Sequence, residues 1–158
     1  MRTKKAITLV VLVLVIGFLY LTMNNSVVLS DENYAYLSDF QWHKNLDEGM
    51  AISREENKPV FVYFWAVWCQ YCEKFETQTL TDPRIRQMLE EDFVMVAIDL
   101  DEDNVVPARY GVSYPPHELF VDGNGEAIDR VGGYVDADTF YKVLKSVKAN
   151  YDSTHGGQ

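Results

Sequence analysis

The apolar positions of this chain fall into distinct patterns, and each predicts a different kind of element. Ala6 to Met23 (AITLVVLVLVIGFLYLTM) runs eighteen residues without a charge. As a helix it spans roughly 27 Å, close to the ~30 Å hydrocarbon core of a bilayer. Val60 to Trp65 (VFVYFW) is an unbroken apolar and aromatic run. It is too short for a stable helix and fits a strand covered on both faces. Phe93 to Ile98 and Glu118 to Val121 predict two further strands, and the turn Asp122-Gly-Asn-Gly125 leads into another near Ala127 to Val131. Elsewhere the spacing is helical. From Trp42 onward, Leu46, Met50 and Ser53 keep that spacing up to the stop signal Glu-Asn-Lys-Pro59. Cys69 to Thr79 reads as a helix. Asp82-Pro83 caps another, with Ile85, Met88 and Leu89 on one face. Val105 to Tyr110 predicts a short helix, and Phe140, Val143, Leu144 and Val147 stripe a last one with Asp136 as its N-cap.

Strands alternating with helices and closing in a hairpin imply an α/β fold, a mixed central sheet flanked by helices. The chain divides into an N-terminal transmembrane anchor (1–23), a linker (24–40), a globular domain (41–149) and a frayed tail (150–158). Arg2, Lys4 and Lys5 lead the apolar run and should stay cytoplasmic, which puts the domain outside. A cleaved signal peptide, leaving a secreted or periplasmic protein, is the rival; the run is long and no A-x-A site follows it. No cysteine follows it either, which excludes a bacterial-type lipid anchor.

Charge narrows the partners. All 24 acidic residues lie beyond the anchor, against 11 of the 14 Lys and Arg. A surface so negative repels nucleic acid and anionic headgroups. It selects no partner of its own.

The chemistry rests on two cysteines, Cys69 and Cys72. As a structural staple their bridge closes a very short loop, worth about 2 kcal/mol in the entropy model. A structural zinc site needs four ligands, and a second C-x-x-C is missing while His43, His117 and His155 are scattered; no metal is expected. A redox reading explains more. Cys69 stands where a buried strand ends and a helix begins, and the free N–H groups there favour a thiolate, lowering the pKa from about 8.5 toward ~3.5–7.5. Cys69 would attack a partner disulfide and Cys72, one turn inward, would resolve the mixed disulfide. No cofactor beyond the dithiol is needed.

Trp68-Cys-Gln-Tyr-Cys72 after an apolar strand, then Tyr110-Gly-Val112, Pro116, a strand and a terminal helix, resembles the thioredoxin superfamily from about Phe40 to Val147. Lys58-Pro59 and Thr81-Asp-Pro83 are similar to the C-terminal domain of transmembrane thiol:disulfide interchange proteins and related periplasmic proteins. The resemblance implies a thioredoxin-like fold and an oxidoreductase that acts on protein thiols and disulfides. It favours reduction of partner disulfides, with electrons from a membrane donor on another chain. It places the family's cis-proline at Pro116, with Pro115 as the alternative register, and makes Trp68 a rim residue suited to partner contact.

The same resemblance exposes several departures. Tyr63 occupies the place of the family's buried aspartate, and Ala97 that of its companion lysine. Glu76, one turn beyond Cys72, and Glu118, in the strand after Pro116, are the carboxylates that could replace the aspartate as proton acceptor. Solvated positions are the alternative for both. Pro115 has no N–H for a bound peptide. His117 replaces the usual threonine and reads as a rim histidine, with pH sensing or support of the Cys69 thiolate as the alternative. The different-class rival for the whole chain is a thioredoxin-fold binding module, an assembly factor, chaperone or metal handler with incidental thiols.

Overall fold

β3 (Val60–Trp65) is the strand around which the rest is ordered. In the computed structural model, which describes residues 34–155 and the single helical position Val15, it lies inside a sheet of order β1-β2-β4-β3-β5-β6. The other strands are β1 (Tyr34–Leu37), β2 (Phe40–His43), β4 (Val94–Asp99), β5 (His117–Val121) and β6 (Ala127–Gly132). β4 runs parallel to β3 and β5 antiparallel to it, so the sheet is mixed. The helices are α1 (Leu46–Glu56), α2 (Gln70–Gln78), α3 (Pro83–Asp92), α4 (Val105–Tyr110) and α5 (Ala137–His155).

Alternation along β3 divides its side chains between two cores. Phe61 and Tyr63 enter one that also holds Cys69, Cys72, Phe75, Ile85, Leu89 and Phe140, so α2, α3 and α5 cover that face. Val60, Val62 and Phe64 enter the other with Leu46 of α1 and Val106 of α4. Burial on both faces is why the strand reads as a continuous apolar run. The first core is aromatic: Phe61 stacks on Phe120 at 5.1 Å, and Phe75 meets Phe140 edge-on at 5.1 Å. Each such pair contributes about 0.5–1.5 kcal/mol beyond its buried area. On the second face α1 packs so close that a Cβ at Gly49 would run into Val96 Cγ2.

Three expectations change. Trp42 belongs to β2, where Phe40 and Trp42 are buried and Gln41 is exposed; the helix starts only after Asn45, whose side chain accepts from the Glu48 N–H. Residues 34–37, expected in a linker, pair with β2 around a turn at Ser38 and Asp39, both at positive φ. That hairpin was hard to see because its turn lacks the glycine or asparagine that such a backbone favours. The end of the domain is not frayed from Asn150: α5 continues to His155, with Tyr151 buried one turn past Val147. The anchor expected over Ala6–Met23 lies outside the described residues apart from Val15. Among the described residues no helix is long and apolar enough to cross a membrane.

Candidate active site

β3 ends at Trp65, and the chain turns through Ala66, whose carbonyl accepts from the Cys69 N–H at 3.1 Å. Cys69 is the N-cap of α2 in extended conformation. Its sulfur accepts from the Cys72 N–H at 3.0 Å, and its carbonyl accepts from the Cys72 and Glu73 N–H groups. Cys69 and Cys72 are joined as a disulfide with their Cα atoms 5.2 Å apart. Cys69 is 8% exposed and Cys72 2%, so only the first is within reach of an outside sulfur. Reduced, Cys69 would hold its charge against the unpaired N–H groups of a helix start, which stabilise an anion.

The rim around this turn is apolar and open. Val67, Trp68, Tyr71 and Tyr114 are large exposed side chains. Trp68, 65% exposed, is fixed by its indole N–H, which donates to the Asp101 carboxylate at 2.9 Å. Beside it opens a cleft of about 520 Å³ lined by Tyr36, Leu37, Lys44, Trp65, Val67 and Asp103. Neither the Asp101 contact nor the cleft could be read from sequence, since both join segments far apart in the chain.

The cis peptide bond lies between Pro115 and Pro116. β5 pairs with β3 so that His117 faces Phe64, which puts Pro116 one step further, at the end of β3 from which the cysteine turn departs. Its carbonyl accepts from the Gly133 N–H at 2.9 Å.

Behind the dithiol lie the groups of the missing aspartate's place. Tyr63 is fully buried and its hydroxyl donates to Glu76 Oε1 at 3.0 Å. Burial and the Glu76 carboxylate beside it push the phenol well above its ordinary range. Glu76 is half-buried; desolvation raises its pKa, the Tyr63 bond lowers it, and the charge of Glu73 raises it. Glu118 is directly opposite Tyr63 across the β3–β5 ladder, so it projects on the cysteine face of the sheet. It is 0% exposed, and neither carboxyl oxygen has a hydrogen-bond partner among the described residues. Burial raises its pKa well above the usual carboxylate range. Glu118 is therefore enclosed, whereas Glu76 is drawn partly inward and keeps contact with solvent.

His117 is buried, not at the rim, and faces away from the cysteines. It is opposite Phe64, on the α1–α4 side, with its ring edge-on to Phe64 and Tyr114. Burial and the charge of Arg130 lower its pKa. A neutral imidazole on that face has no route to the Cys69 sulfur. Among the described residues no cluster of His, Cys, Asp or Glu is arranged to hold a metal ion.

The profile of the Thioredoxin-like domain family matches residues 46–148, more than half of the chain. The chain belongs to this family. A thiol:disulfide interchange protein DsbD of Tatumella citrea is 29% identical over 133 residues, 81% of this chain but 22% of that protein. The chain thus spans about a fifth of the length of the curated relatives it matches. The solution structure of a thioredoxin from Thermus thermophilus superposes with a TM-score of 0.63 at 28% identity, covering 70% of this chain and 89% of that one. The oxidised C-terminal domain of Neisseria meningitidis DsbD gives 0.54 at 26% identity, covering 63% and 89%. The mixed sheet with its helices is thus a thioredoxin-like α/β fold, and it carries a C-x-x-C pair, Cys69 and Cys72, of the type that thiol–disulfide oxidoreductases use.

Proposed function

We propose that the chain is a membrane-anchored, extracytoplasmic member of this family that reduces disulfides in partner proteins. The observation that carries the reading is the Cys69–Cys72 pair at the start of α2, with Cys69 slightly exposed and Cys72 fully enclosed. In the dithiol form, the Cys69 thiolate attacks one sulfur of a partner disulfide. A Cys69–partner bond forms and the other partner sulfur leaves as a thiolate. Cys72 then loses its proton to Glu118 or Glu76 and attacks Cys69 Sγ. The Cys69–Cys72 bond forms, the second partner sulfur leaves, and two electrons have passed to the partner. Pro116 borders the site, and Trp68 with its apolar neighbours meets the partner surface.

Reduction is the direction we favour from the resemblance to the C-terminal domain of interchange proteins; the relatives' names give interchange alone. The uncharged run at 6–23 supports the anchor. Turnover then requires an electron donor, which we place in the membrane, to return the dithiol to its reduced form.

A trap tests this. Full-length Cys72→Ala should accumulate mixed disulfides with partner proteins in cells, dissolved by reductant, and Cys69→Ser should accumulate none. A redox potential near the reducing end of the family range, about −270 mV rather than −120 mV, is expected. Equal capture by both variants, or a potential at the oxidising end, would reject the proposal. Alkylation of reduced Cys69 should show a midpoint below the ordinary thiol value of about 8.5.

A further inference from the structure

Two carboxyls approach one phenol behind the dithiol, and the phenol treats them unequally. Tyr63 has a single O–H to donate. It gives that proton to Glu76 Oε1 at 3.0 Å. Glu118, opposite Tyr63 on β5, receives no donor on either oxygen among the described residues. An ionised carboxylate so enclosed is strongly disfavoured: burial favours the protonated form of Glu118, with its own backbone N–H the smaller, opposing influence.

The remaining charges around Glu76 do not do this work. Glu73, on the same helix, repels a negative charge there. Lys74 is turned over the ring of Tyr134. Arg86 of α3 donates to the Ser38 carbonyl and pairs with Glu90, while the β1–β2 turn reaches Glu76 only through the Ser38 hydroxyl on its main-chain carbonyl. Tyr63 is the group that supports a negative charge on the Glu76 side chain. Glu76 also sits one turn beyond Cys72, on the same helix face.

We infer that Tyr63 is a positioning residue whose hydroxyl selects Glu76, not Glu118, as the carboxylate that accepts the Cys72 proton. The inference rests on the dithiol reading above and decides between its two acids. In the step, the Cys72 S–H bond breaks and its proton passes to a Glu76 oxygen. The resulting thiolate attacks Cys69 Sγ, the internal disulfide forms, and the partner sulfur departs with the electron pair of the broken bond. Glu76 then returns its proton to solvent from its half-buried position.

Stopped-flow mixing of the fully reduced protein with an aromatic disulfide that releases a coloured thiolate separates the two stages. The first equivalent reports attack by Cys69, and the second reports resolution by Cys72. Tyr63→Phe keeps the ring and removes only the donor, so the Glu76 carboxyl holds its proton to higher pH. The pH midpoint of the second phase should rise by roughly one unit while that of the first stays in place. Glu76→Gln should remove this pH limb, Tyr63→Phe/Glu76→Gln should match Glu76→Gln alone, and the limb should persist in Glu118→Gln. An unmoved second phase in Tyr63→Phe, or a limb lost in Glu118→Gln and kept in Glu76→Gln, would overturn the inference. Should Tyr63→Phe not fold, the two glutamine variants decide the matter. Loss of the first phase in the unsubstituted protein would instead refute the dithiol reading itself.

Discussion

Glu118 is a carboxyl set into a hydrophobic sheet face, and it leaves a signature in stability. Its folded pKa is raised by burial, whereas in the unfolded chain it titrates near the ordinary value of about 4.3. Its contribution is therefore fully present below that pH and is lost as pH rises toward the folded pKa. Relative to Glu118→Gln, the wild-type protein should lose about 1.4 kcal/mol of stability per pH unit across that window. Urea unfolding at pH 5 and pH 8 measures this, and parallel pH profiles for the two proteins would mean that Glu118 is not enclosed and neutral. The residue was visible in the sequence as an acid after Pro116. Its burial was not, because only the β3–β5 register sets it opposite Tyr63. In the sequence Tyr63 stands out only as a departure from the family pattern. Its bond to Glu76 links residues 13 apart on a strand and a helix, and no local spacing encodes it.

Elements with a strong internal period were legible, and those held by distant partners were not. α3 carries its own start signal, Asp82 accepting from the Arg84 N–H with Pro83 at the first turn. The β1–β2 hairpin has only two four-residue strands and joins the sheet through the pairing of His43 with Val96. Its turn is held from outside, by Ser38 donating to the Glu76 carbonyl and by Arg86 donating to the Ser38 carbonyl. α5 presents the middle case. Phe140, Leu144 and Val147 continue to Tyr151 in the same helical stripe, and Tyr151 packs where Asn57 reaches its hydroxyl. Deleting residues 150–158 should cost about 1.5–3 kcal/mol from the loss of that one buried side chain. A thermal midpoint equal to that of the full chain would show the last turn to be dispensable.

For the molecule as a whole, the excess of acidic residues beyond the uncharged N-terminal run argues for a well-solvated domain that charge does not draw to a membrane, so the proposed anchor is the part to test. The full chain should stay in the membrane pellet after alkaline carbonate extraction, and protease added from the extracytoplasmic side should digest the domain. Recovery in the supernatant would favour a cleaved signal peptide. From the residues alone came the alternation of strands and helices from β3 onward and the strand-to-helix junction that carries Cys69, while the proline at the site came from the family resemblance. The first two are written in a local period or a neighbouring cap, over distances of a few residues. That His117 faces away from the thiols, that Glu118 lies on their side of the sheet and that Tyr63 reaches Glu76 became visible in three dimensions. Those outcomes depend on strand register and helix docking, where a shift of one residue sends a side chain to the opposite face.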